Sequence, residues 1–66
     1  MKNSIKVERA RLDMTQQDLA DALEVSRQTI NAIEKGKFNP STILALKISN
    51  LFKKSVNEIF SLEDTA

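Results

Sequence analysis

Ser26-Arg27-Gln28-Thr29-Ile30-Asn31-Ala32-Ile33-Glu34-Lys35-Gly36 is the stretch on which the reading of this chain turns. Its spacing predicts a short helix with two dissimilar faces. At about 3.6 residues per turn, Ile30 and Ile33 fall on one side, while Arg27, Asn31, Lys35 and Gln28 fall together on another. Ser26 stands where an N-cap belongs, and Gly36 where a left-handed residue closes a helix. The polar face carries a guanidinium, two side-chain amides and, at its far end, an ammonium. Arg matches the major-groove edge of guanine, Gln and Asn match adenine, and Lys neutralises phosphate. Most polar helix faces are merely solvated, so the preceding segment must discriminate.

Upstream, Thr15-Gln16-Gln17-Asp18 fits the acidic form of a capping box, with Thr15 as the cap and Asp18 reaching back. Asp18 and Asp21 also lie toward the positive end of the helix dipole. Leu19, Ala20 and Leu23 make an apolar stripe at helical spacing, which predicts a helix from roughly Gln16 to Leu23. Only Glu24 and Val25 separate it from Ser26. Two helices of about two turns joined by about three or four residues make a helix-turn-helix. Ala20 is small where the helices must approach, and Val25 can plug the angle between them. An ordinary helical hairpin has the same outline, but it leaves Arg27, Gln28 and Asn31 on the outer face without a reason.

The flanks complete an all-α plan of five helices. Met1 to Ser4 reads as a loose lead-in or a brief edge strand. Ile5 to Asp13 reads as a first helix, with Ile5, Val7, Ala10, Leu12 and Met14 supplying apolar contacts. The only Gly and the only Pro fall in the loop Lys35-Gly36-Lys37-Phe38-Asn39-Pro40, where Phe38 is expected to anchor into the core. Ser41 caps a fourth helix over Thr42 to Phe52. Its Leu44, Ala45, Leu46, Ile48, Leu51 and Phe52 cover more than one face. Ser55-Val56-Asn57-Glu58 is a second capping box, opening a last short turn through Ile59 and Phe60. Ser61 to Ala66 reads as a polar, acidic, frayed tail.

Composition narrows the function. Sixty-six residues are expected to form one domain, 1–66, and a chain this short hides only about 60% of the surface its unfolded form exposes. With no cysteine and no histidine, it has no disulfide, no common zinc set and no thiol or imidazole chemistry. No spacing suggests a catalytic constellation, so no enzyme, metal or cofactor is expected. The longest purely apolar run, Ile43-Leu44-Ala45-Leu46, is far short of a membrane span. A reducing cytoplasm suits the lack of cysteine. The net charge of +1 conceals blocks: +3 over residues 1–11, −4 over 12–24, +5 over 25–54 and −3 over 55–66. A basic block beginning at the candidate reading helix suits a polyanion.

From about Ile5 to Phe60 the chain resembles the phage Cro/repressor-type helix-turn-helix regulators, also described as xenobiotic-response-element-type transcription factors. The likeness is carried by Thr15-Gln16-Gln17-Asp18-Leu19-Ala20, Val25-Ser26-Arg27-Gln28-Thr29-Ile30-Asn31-Ala32-Ile33-Glu34, Asn39-Pro40-Ser41, Ala45-Leu46-Lys47-Ile48 and Glu58-Ile59-Phe60. It implies a compact, repressor-like five-helix domain with its third helix in the DNA major groove, and a two-fold dimer. By position, Gln16 would meet a phosphate. Arg27 and Gln28 would be the main base readers, with Asn31 and Ala32 further along, Ala32 leaving room for a thymine methyl. Ser26, Thr29, Lys37 and Asn39 would be backbone contacts; the helix face itself, apart from the resemblance, makes Lys35 a further phosphate neutraliser. Arg9 and Glu34 match an ion pair that braces helix one against helix three, which makes Glu34 structural. Glu24 and Lys53 stand where the family commonly has Gly; a left-handed backbone there would add about 1–2 kcal/mol of strain each. Glu8 stands where an apolar residue is usual.

Leu51, Val56, Ile59, Phe60 and Leu62 crowd near one end, and if Leu44, Leu46, Ile48 and Phe52 fill the interior, not all of them can be buried. Leu51, Val56, Phe60 and Leu62 are the expected dimer contacts, with Val56, Phe60 and Leu62 the best candidates for an exposed patch. For Ile59, completion of the monomer core is an equal alternative. The leading functional reading is a sequence-specific DNA-binding repressor acting as a homodimer on a near-palindromic operator, with no small-molecule effector evident. The other is an antitoxin-like or immunity protein whose main task is to bind a partner protein.

Overall fold

The computed structural model describes residues 1–62. In chain order the elements are β1 (Lys2–Asn3), α1 (Ile5–Arg11), α2 (Gln16–Leu23), α3 (Arg27–Glu34), α4 (Thr42–Phe52), α5 (Val56–Ile59) and β2 (Phe60–Ser61). Four of the five helices among the described residues are capped by a hydroxyl. Thr15, Ser26, Ser41 and Ser55 each sit in extended backbone and accept a hydrogen bond from the backbone N–H three residues on. At Thr15 and Ser55 the box is complete, because Asp18 and Glu58 accept from the cap's own N–H at 3.0 and 2.9 Å. These hydrogen bonds to the ionised form hold both carboxyls below their ordinary pKa, the backbone bond contributing most.

Helix ends are equally local. α2 and α4 stop on left-handed residues, Glu24 at φ 60° and Lys53 at φ 56°. Both turns therefore keep the backbone that glycine would favour while carrying a side chain. Gly36, at φ 75°, ends α3; a Cβ there would lie 3.2 Å from the Met1 carbonyl oxygen, so the residue serves both the turn and a close approach. α1 is shorter than its pattern suggests, ending at Arg11, because Asp13 is itself left-handed at φ 57°.

The core comprises Ile5, Leu19, Ala20, Leu23, Ile30, Ile33, Leu44, Ile48, Phe52, Ile59 and Phe60. The expected apolar face of α1 is out of phase: Val7, Ala10 and Leu12 are exposed, and Glu8 is buried beside Ile5. Glu8 is compensated by Arg11 Nη1 at 3.4 Å and Lys54 Nζ at 3.5 Å. Phe38 does not anchor its loop but is 50% exposed, and Leu46 lies at 53% on the outer side of α4.

Two short strands modify the all-α plan without changing its helical character. β1 pairs antiparallel with β2, Lys2 opposite Ser61 and Asn3 opposite Phe60. The Ser4 N–H donates to the Ile59 carbonyl at 2.9 Å. This pairing draws Phe60 into the core at 5% exposure, which corrects its assignment to an outer patch. Ile59 completes the core, which decides between its two alternatives.

Candidate nucleic-acid interface

α3 buries Ile30 and Ile33 and turns the rest of its surface outward. Arg27 and Gln28 are exposed on its first turn, Asn31 is half-buried one turn on, and the three line a shared shallow polar cleft. At the helix start, Ser26 Oγ accepts from the Thr29 N–H at 3.1 Å and shares a hydrogen bond with Thr29 Oγ1 at 2.9 Å. Both hydroxyls thus have a structural task at the rim of the cleft. At the helix end, the Lys37 and Phe38 N–H groups both bond the Ala32 carbonyl, at 2.9 and 3.3 Å. That turn folds the following loop back over α3 and leaves Lys35, Lys37 and Asn39 exposed beside it. Ala32 itself is half-buried.

The base of the interface is a polar brace between three helices. Arg9 of α1 donates to Glu34 of α3 twice, Nε to Oε2 at 2.7 Å and Nη2 to Oε1 at 3.2 Å. Its remaining fork, Nη1, donates to the Met14 carbonyl at 2.9 Å. The hydrogen bond to Glu34 raises the Arg9 pKa further, against the opposing effect of burial. A two-pronged Arg–carboxylate pair fixes orientation as well as distance. Gln16, at the start of α2, donates Nε2 to Glu34 Oε1 at 3.1 Å. Asn31 donates Nδ2 to Gln16 Oε1 at 3.5 Å.

Two features of this brace are absent from the sequence reading. One is the place of Gln16, bonded to both Glu34 and Asn31, which no spacing announces, because Gln16 lies on a different helix from either. The other is Asn3, whose Nδ2 donates to the Ile33 carbonyl at 2.8 Å while its Oδ1 accepts from the Ile5 N–H at 3.2 Å. Asn3 therefore ties the end of α3 to the start of α1. The expected dimer residues do not form one patch. Leu51 lines a cleft with Leu23 and Lys47, whereas Val56 and Leu62 border a separate groove with Met1.

The helix-turn-helix family profile matches residues 5–59, from the start of α1 to the end of α5. The chain belongs to the Cro/C1-type helix-turn-helix family. It is 55% identical over 64 residues to an uncharacterised HTH-type transcriptional regulator of Methanocaldococcus jannaschii, covering 97% of each chain. It is 45% identical to an uncharacterised HTH-type transcriptional regulator of Bacillus subtilis, again covering 97% of each. A third such regulator, from Archaeoglobus fulgidus, is 44% identical, with 97% of this chain and 90% of that one covered. Membership in this helix-turn-helix family makes the protein a DNA-binding transcriptional regulator and not an enzyme. α2 and α3 are its helix-turn-helix, and α3 is the second helix of that motif.

Proposed function

We propose that this regulator is a cytoplasmic repressor, residues 1–66 forming one domain, that binds a near-palindromic operator as a homodimer with α3 in the major groove. The observation that carries this reading is the convergence of Arg27, Gln28 and Asn31 on one outward polar cleft, with Lys35 and Lys37 exposed beside it. Arg27 and Gln28 supply the bidentate donors and acceptors that base edges demand, and Ala32 leaves space for a thymine methyl. Lys35, Lys37, Asn39, Ser26 and Thr29 are the phosphate contacts in this reading. Gln16 keeps one amide N–H beyond the one Glu34 takes, and that N–H is available to a phosphate oxygen. Occupying an operator requires nothing more than binding, which is why repression is preferred to activation.

The dimer face in this reading is the apolar groove bordered by Met1, Pro40, Ala45, Leu46, Val56 and Leu62, with buried Phe60 as its floor. Leu46 and Leu62, at 53% and 86% exposure, are large apolar side chains that a second copy would cover. A two-fold contact there would set two α3 helices about 34 Å apart, one turn of DNA. Sedimentation of the free protein and footprinting on sites selected from random DNA test the proposal together. It predicts a dimer protecting two inverted half-sites, with affinity falling steeply as salt rises. A monomer at micromolar concentration that protects one asymmetric site, or affinity indifferent to salt, would overturn it.

A further inference from the structure

Arg9, Glu34, Gln16 and Asn31 form a chain of hydrogen bonds in which the polarity of each member dictates the next. Arg9 has only donors, and two of them meet the Glu34 carboxylate. The carboxylate has only acceptors, so Gln16 can meet it only with its NH2 group, which it does at 3.1 Å. That choice turns Gln16 Oε1 to the opposite side, toward Asn31. Asn31 must then present its own NH2 group, and Nδ2 donates to Oε1 at 3.5 Å. A reversed Asn31 amide would set two carbonyl oxygens against each other.

What remains of Asn31 is its carbonyl oxygen and one N–H, and the residue lines the cleft it shares with Arg27 and Gln28. An acceptor and a donor side by side complement the N6 amine and N7 of adenine in the major groove. We infer that Glu34 and Gln16 are positioning residues for base reading: they fix the Asn31 amide in the orientation that reads adenine. Glu34 thus serves both as a brace for α1 and as the origin of a polarity that ends at the DNA. The inference rests on α3 occupying the major groove.

The test is selection of bound sites from random duplex DNA by the full-length wild type, Asn31→Ala, Gln16→Ala and Gln16→Met. Gln16 is at the first position of α2 and only half-buried, and neither of its variants replaces a member of the Arg9–Glu34 pair. The wild type should select adenine at one position per half-site by roughly tenfold or more, and Asn31→Ala should abolish that preference alone. Gln16→Ala and Gln16→Met should relax the same position severalfold while the positions read by Arg27 and Gln28 keep their preferences. Loss of a phosphate contact would instead weaken every sequence alike. Gln16 variants that bind more weakly but keep the adenine preference would overturn the relay and leave the placement of α3 standing. So would a recovered motif in which no adenine depends on Asn31. Recovery of no motif by the wild type would overturn the placement of α3 itself, and the relay with it.

Discussion

Residues 16–34 and residues 42–61 open their helices with the same chemistry but are tied into the molecule by different means. α2 and α5 both begin in a complete capping box, and α2 and α4 both end on a left-handed residue. In the helix-turn-helix, the stripe of Leu19, Ala20 and Leu23 lies next in sequence to its counterpart, Ile30 and Ile33. A single turn brings α2 and α3 together. The C-terminal part closes on the far end of the chain instead: β2 pairs with β1, Ile59 receives the Ser4 N–H, and Lys54 reaches back to Glu8. The reading surface thus stands on contacts between near neighbours, while the other half of the core needs both chain ends. The polar brace and Asn3 connect the two, since both grip α3 from α1 or its lead-in.

The largest expected effect tests the long-range tie. Lys54→Met removes one of the two cations facing buried Glu8, and should cost about 3 kcal/mol in a denaturant titration. Glu8→Leu removes the buried charge altogether and should be neutral or stabilising by about 1–4 kcal/mol. If both substitutions destabilise alike, Glu8 is not a compensated buried charge, and the contrast between the two halves weakens.

A smaller effect asks whether the two halves share their turn energetics. Glu24→Gly and Lys53→Gly each relieve about 1–2 kcal/mol of left-handed strain and give back about 0.5–1 kcal/mol of glycine flexibility. Each should raise the thermal midpoint by a few degrees, and by similar amounts. A rise at one site only would place the strain in one half.

The smallest effect is acid sensitivity. Asp18 and Glu58, one in each half, have folded-state pKa values below their ordinary ones, so the unfolded chain binds the proton more readily. Their contribution is present above the ordinary carboxylate pKa of about 4 and is lost as pH falls through the lower folded-state values. Asp18→Asn and Glu58→Gln should each lower the thermal midpoint slightly at pH 7 and converge with the wild type near pH 2, which flattens the fall between about pH 5 and pH 2. An undiminished slope in both variants would remove the capping boxes as its source.

What was legible in the sequence follows the same division. The bounds of α2, α3 and α4 could be read because Thr15, Ser26, Ser41, Glu24 and Gly36 act within a few residues of themselves. The outward set Arg27, Gln28, Asn31 followed from periodicity alone. Burial in the C-terminal part could not be read, since Phe60 is covered by a strand pairing with residues 2–3 that has no local signature. Phe38 and Leu46 look like core by composition and lie outside, whereas Ile59 and Phe60 are buried. The phase of α1 was hidden for a related reason: one of the two cations that face buried Glu8, Lys54, lies far along the chain, and only Arg11 is local. At the interface, the residues were legible and their bonds to one another were not.

The central claim is that the outward face of α3 reads bases, and Gln28 offers its most direct test. The measurement is the ratio of affinity for the selected operator to affinity for random DNA, in the wild type and in Gln28→Ala, at one fixed salt concentration. Losing a bidentate contact should lower that ratio by about 1–3 kcal/mol per half-site and relax one position in each, while affinity for random DNA stays nearly unchanged. A Gln28→Ala protein with the wild-type ratio would contradict the account.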